Sequence, residues 1–93
     1  DRQRIDKWLW HMRIVKTRTA ASALVSSGRI RLNGTRISAP SHVVKAGDVL
    51  TVALDQRVRL LRVEAFAERR GDAAAARLLY TDLEDSSEVD RTA

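Results

Sequence analysis

Between Arg4 and Val15 the apolar residues Ile5, Trp8, Leu9 and Met12 recur at the i, i+3, i+4, i+7 spacing of one helical face. Arg4, Lys7, His11 and Arg13 fall away from that stripe. A break at Val15-Lys16 precedes Thr17, whose hydroxyl can accept a bond from a free amide of the next turn and so start a second helix. That helix is "RTAASALVSS", with Ala20, Leu24 and Ala23 expected to face inward and a small-residue surface suited to close packing on the first. Gly28 sits where a helix ends on a left-handed residue.

The pattern then changes period. "GRIRLNG" alternates arginine with an aliphatic residue, which predicts a strand with one face in a core and one in solvent. Asn33-Gly34 is a hairpin signal, because both residues tolerate positive φ. "TRISAPSHVVKAGD" reads mostly as loop, with Pro40 holding Ala39 extended and a turn at Gly47-Asp48. "VLTVAL" is a short strand, joined through Asp55-Gln56 to "RVRLLRVEAF", whose in/out parity slips at Leu60-Leu61 and suggests a bulge or a change of face. "DAAAARLLY" reads as a helix capped by Asp72, with Ala75, Leu78 and Leu79 on one side. The expected fold class is α+β: two packed N-terminal helices against a small antiparallel sheet, with a short C-terminal helix. One domain is expected over residues 1–81, with a core motif at 4–66 and the last helix at 72–80, followed by an acidic, flexible tail at 82–93.

Composition limits what such a domain can do. The chain has 93 residues, 44% of them hydrophobic and 4% aromatic, which predicts one modest, aliphatic core. It has no cysteine, so neither a disulfide framework nor a thiolate metal site can form, and a reducing cytoplasm is the expected location. No apolar run approaches the ~20 residues of a membrane span, and the start at Asp1 rather than Met leads us to expect a trimmed N-terminus. The net charge is +5, but it is unevenly placed. Residues 1–48 carry ten Lys/Arg against three Asp, a net +7, while residues 49–93 carry seven Arg against nine acids, a net −2. A basic half joined to a mildly acidic one predicts a polyanion-binding face.

Helix N-termini present free amides and partial positive charge, and here Lys16 and Arg18 stand beside them at Thr17. Arg29 and Arg31 share a strand face, Arg36 lies just past the turn, and Lys45 can close one edge. Such a set suits a structured RNA read by its backbone, since exposed aromatics for stacking single bases are nearly absent. The candidate RNA contacts are Arg4, Lys7, Arg13, Lys16, Thr17, Arg18, Arg29, Arg31, Asn33, Arg36 and Lys45. Arg59, on the later hairpin, is expected to matter less than Arg18. Trp8 lies on the apolar stripe and is expected in the core, whereas Trp10 fits either packing under the C-terminal helix or an exposed contact. His11 and His42 lack cysteine or acid neighbours at ligand spacing, so no metal or cofactor is expected. Asp6 is expected in the first helical turn, where the dipole favours it, and Ser26, Ser27 and Ser38 read as cap and loop residues without a histidine partner.

Taken in order, "RIDKWLW", "KTRTAASALVSSGRIRLNG" and "SHVVKAGD" resemble the RNA-binding domain first recognised in small-subunit ribosomal protein four. That family has an R-I/L-D-x-x-L opening helix, a helix of the form TR-x-x-A-x-x-L-V/I-x-x-G, a strand ending N-G and a loop ending V-x-x-GD; all occur here across residues 4–50. "DKWLWHMRIVKTRT" and "AERRGDAAAARLLYTDL" are similar to its fifteen-kilodalton heat-shock subfamily in bacteria. The resemblance implies a stand-alone, non-enzymatic protein that binds ribosomal RNA on the large subunit, in a heat-shock or ribosome-rescue role. That subfamily usually continues into a long basic C-terminal helix, whereas this chain turns acidic. Two other readings are an RNA-targeting domain of a larger RNA-modifying enzyme, such as a pseudouridine synthase, and a protein-interaction module. A monomer with neither membrane nor small-molecule partner is expected.

Overall fold

The computed structural model describes residues 1–83. Along the chain lie β1 (Arg2–Arg4), α1 (Ile5–His11), α2 (Arg18–Ser26), β2 (Ile30–Leu32), β3 (Thr35–Ile37), β4 (Val43–Lys45), β5 (Val49–Ala53), β6 (Val58–Val63), α3 (Ala73–Arg77) and β7 (Tyr80–Asp82). The fold is α+β, with a five-stranded antiparallel sheet in the order β3-β2-β5-β6-β7 and a separate pair β1-β4.

At seven residues α1 is too short to persist alone, and tertiary burial holds it. Ile5, Trp8 and Leu9 are fully buried and Met12 nearly so, as the stripe predicts. The Trp8 indole Nε1–H donates to the Ala65 carbonyl at 3.0 Å, so the ring is buried without an orphaned donor. The helix phase of α2 departs from expectation. Ala21 and Val25 are buried, Leu24 is half-buried, and Ala20 and Ala23 face outward. "AASALV" is apolar at nearly every position, so pattern alone could not choose the face; the seating of Ala21 and Val25 against the core does.

Asn33 (φ +51°) and Gly34 (φ +88°) turn β2 into β3 through two successive left-handed residues, the geometry of a tight hairpin. The stretch after it is not mostly loop. Thr35–Ile37 completes the hairpin and Val43–Lys45 pairs with Arg2–Arg4, which draws Arg4 out of the helix into a strand. Nor is there a bulge at Leu60-Leu61: β5 and β6 pair one to one, Leu50 with Leu61 and Thr51 with Leu60. The pleat accommodates both leucines, with Leu61 fully buried and Leu60 half-buried on the outer sheet face.

Asp72 caps α3 by accepting the Ala75 amide at 2.9 Å. The helix is shorter than expected, because Tyr80 enters β7 and pairs with Val63. Ala76 and Leu79 are buried while Ala75 and Leu78 face solvent, a rotation of the expected side. Asp82, expected to open the acidic tail, lies in the sheet opposite Leu61; residues 84–93 lie outside the described residues. Before α3, residues 64–71 form a strap across α1. The Gln3 side-chain amide donates to the Ala67 carbonyl at 2.9 Å, and the Arg70 Nε–H to the Trp10 carbonyl at 3.0 Å.

Candidate nucleic-acid interface

The candidate interface is organised by an acid. Asp6 is 2% exposed. Its carboxylate accepts two bonds from the Arg4 guanidinium (3.1 and 3.0 Å), one from the Lys7 amide (2.7 Å) and one from the Ser22 hydroxyl (3.2 Å), with an Arg18 nitrogen at 3.6 Å. Burial is the largest influence on its pKa and pushes it up. The Arg4 hydrogen bonds, the Arg18 and Arg4 charges and the Ser22 hydroxyl together outweigh burial, so the net shift is downward. This carboxylate ties β1, α1 and α2 together and holds two half-exposed guanidiniums at the start of α2.

At that start Thr17 is extended (φ −136°, ψ 157°) and its hydroxyl accepts the Ala20 amide at 3.0 Å, the cap expected from sequence. The amides of Arg18 and Thr19 have no acceptor within the helix, and Lys16 is exposed just before them. Along α2 the exposed Ala20, Ala23 and Ser27 border a shallow hollow that ends at Arg29. Small side chains there allow a phosphate backbone to approach the helix closely.

Arg31 and Arg36 are directly opposed in the β2-β3 ladder, on the sheet face away from Ile30. Like charges so placed repel, and neither makes an ion pair with a described residue. The stem of Arg36 runs back past Gly28, where a Cβ would lie 3.5 Å from its Cδ, so the pair borders the C-terminal end of α2. Arg29 is not wholly available: it pairs with exposed Asp55 at 2.8 Å.

Other expected contacts lie elsewhere. Lys7 is half-buried and lines a cleft with Arg2, Glu64 and Glu68. Lys45 is exposed and stands opposite Arg2 in the β1-β4 ladder. The Asn33 side chain is engaged within the fold, bridging the Asp48 carboxylate (3.1 Å) and the Val49 amide (2.9 Å). Arg13 lies beyond the far end of α1, its guanidinium on the Gly71 carbonyl at 2.8 Å, close to Arg59 and Arg77. Sequence reasoning missed Arg2, which only the long-range β1-β4 pairing makes visible, and Ser22, whose signal was its place one turn after Arg18.

The helical stripe left His11 outside the core, yet it is 1% exposed. The strap covers it, its ring lies 5.3 Å from Trp10, and neither ring nitrogen has a hydrogen-bond partner among the described residues. Burial lowers its pKa; the nearby Ala67 carbonyl works the other way, and the Lys7, Arg18 and Arg70 charges lower it further. A histidine whose folded pKa lies below the ordinary 6.5 stabilises the fold fully above that value, and the contribution is lost as pH falls below it. We expect the melting temperature to decline between pH 7.5 and pH 5, and His11→Leu to flatten that slope. An equal slope in the variant would assign the pH dependence elsewhere. Among the described residues no helix is long and apolar enough to cross a membrane, and no group of three or more His, Cys, Asp or Glu could hold a metal ion.

These features define an S4-type RNA-binding module: an acid-anchored helix pair whose second N-terminus is cationic, followed by a basic hairpin. The S4 domain family model matches residues 3–50, and the chain belongs to the S4 domain family. The Escherichia coli protein "Heat shock protein 15" is 39% identical over 85 residues, which cover 91% of this chain and 63% of that protein; this chain therefore spans less than two thirds of its length. The Bacillus subtilis "RQC P-site tRNA stabilizing factor" is 37% identical over 82 residues, covering 88% of this chain and 93% of that one. A solved structure of Vibrio cholerae Heat Shock Protein 15, described as trimeric, superposes with a TM-score of 0.85 at 31% identity, covering 100% of this chain and 94% of that one.

Proposed function

We propose that this chain binds structured ribosomal RNA on the large subunit, as a non-enzymatic, cytoplasmic factor of the heat-shock or ribosome-rescue kind. The observation that carries this reading is the buried Asp6 holding Arg4 and Arg18 at the cationic start of α2. A buried acid with two half-exposed arginines fixes donors in place before an anion arrives, which lowers the ordering cost of binding. The Arg31-Arg36 pair, without an ion-pair partner among the described residues, extends the same demand for external negative charge. The names of the relatives, a heat-shock protein and a factor that stabilises a P-site tRNA, favour the ribosome as the source of that RNA. We expect a monomer; light scattering at binding concentrations tests it, and a trimer like that described for the Vibrio relative would overturn it.

The test is filter binding of purified large-subunit and small-subunit ribosomal RNA across a salt series. We expect preference for the large-subunit RNA and a steep loss of affinity as salt rises, with a log–log slope of about 0.9 for each phosphate neutralised, on the scale known for duplex DNA. Equal affinity for both RNAs would overturn the large-subunit assignment. Affinity unchanged between low and physiological salt would overturn phosphate reading itself.

A further inference from the structure

At the far end of α1 from Asp6, three arginines from three different elements meet around one concavity. Arg13 follows α1, Arg59 projects from the inner face of β6, and Arg77 ends α3; with Met12, Ala76 and Tyr80 they line a cleft of about 230 Å³. Several waters or one hydrated anion would fill that space, a water's share of liquid volume being about 30 Å³. Asp6 and Met12 are separated by six residues of helix, about 9 Å at 1.5 Å per residue, so this cleft is separate from the Arg4-Arg18 group.

Among the described residues the cleft is under-neutralised. Arg59 is 18% exposed in its side chain, stacks over Tyr80 at 5.5 Å and spends one terminal nitrogen on Asp82 at 3.3 Å. Its Nε is shielded from solvent and has no hydrogen-bond partner among the described residues. Arg77 makes no ion pair among the described residues, and the Arg13 guanidinium donates to the Gly71 carbonyl without one. Among the described residues Asp82 pairs with Arg59, and the α3 cap Asp72 is turned to the Ala75 amide. Arg13 has φ +67°, in the left-handed region where glycine ordinarily ends a helix. An arginine held there costs backbone strain that glycine would avoid, and such strain collects at functional positions.

We propose that the Arg13-Arg59-Arg77 cleft is a second phosphate-binding site, taking a backbone phosphate of the bound RNA. Arg59 and Arg77 lie outside residues 3–50, so the site extends beyond the matched S4 segment. The site stands on its own groups; that its phosphate belongs to RNA rests on the RNA-binding reading above.

Two measurements separate those statements. The first is NMR of the arginine Nε–H groups of the full chain during titration with inorganic phosphate. Saturable shifts at Arg59 and Arg13 are expected; their absence would overturn the site, whatever the RNA does. The second is affinity for large-subunit ribosomal RNA. Arg77→Glu should weaken it about tenfold and make the salt slope shallower by about one phosphate. Arg62→Glu, the same charge change on the outer sheet face, should stay near wild type. Arg13→Gly should also weaken binding while its melting temperature holds or rises, an outcome that a purely structural arginine would not give. Phosphate shifts with RNA affinity unchanged in Arg77→Glu would overturn the RNA assignment and leave a site for a free phosphate. If wild type binds no ribosomal RNA, the functional reading fails and the phosphate titration still decides the site.

Discussion

Replacing Asp6 with alanine is expected to lower the melting temperature by roughly 10–20 °C, the equivalent of about 2–3 kcal/mol in a domain of this size. The side chain is 3% exposed and is the common acceptor for Arg4, the Lys7 amide and Ser22, so its removal frees β1, α1 and α2 from one another. The loss stays below the full cost of breaking a buried pair because Arg4 and Arg18 are 49% and 42% exposed and recover water when released. Asp6→Asn keeps an acceptor for the Lys7 amide and should fall between alanine and wild type. Acid separates charge from shape. Because the folded pKa of Asp6 is lowered, its contribution is complete above the ordinary 3.8 and fades as pH falls through the lowered value. The gap between wild type and Asp6→Asn should therefore close in strong acid. Thermal unfolding by circular dichroism from neutral pH into that range measures it; an alanine variant within about 3 °C of wild type would show that the acid does not hold the helix pair.

The same acid shows where sequence stops being legible. Features set by neighbouring residues were readable: the Ile5-Trp8-Leu9-Met12 stripe, the Thr17 cap, the left-handed Gly28 and the Asn33-Gly34 turn. Each needs only local geometry. The β1-β4 ladder was not readable, since three residues pair with three others some forty positions away and neither stretch alternates long enough to announce itself. The burial of Asp6 and His11 escaped for one reason: a helical stripe assumes water on its polar side, whereas α2 and the 64–71 strap occupy that side here. For the candidate site, the family motif carried Arg4 and Arg18, while strand alternation carried Arg31 and the turn carried Arg36. None of these could show that Asn33 would be engaged by Asp48, or that Arg13 would leave the face and join Arg59 and Arg77. Those positions depend on how β5, β6 and α3 return beside α1, and residue spacing carries no trace of that.

Arg18→Glu is expected to weaken binding of structured RNA roughly 30- to 150-fold. A hydrogen bond from a charged group contributes about 1.5–3 kcal/mol, and reversal replaces attraction with repulsion where two helix amides also await an anion. A loss of about 2–3 kcal/mol corresponds to that fold-change at 1.4 kcal/mol per factor of ten. Stability should move little. The variant loses the 3.6 Å contact with Asp6 and sets a like charge near it, but an acid in the first turn of α2 is favoured by about 0.3–1 kcal/mol. Arg18→Gln, which removes the charge without reversing it, should lie between. The control must carry the same charge change off the face; Arg59, expected to matter less than Arg18, is unsuited because it lines the cleft with Arg13 and Arg77. Arg62 does: it pairs with Glu64 at 2.8 Å on the outer side of β6. Filter binding at fixed salt, with melting temperatures measured alongside, tests the comparison. If Arg62→Glu loses as much affinity as Arg18→Glu, the protein reads only overall charge, and an acid-anchored arginine at the start of α2 has no special part in recognition.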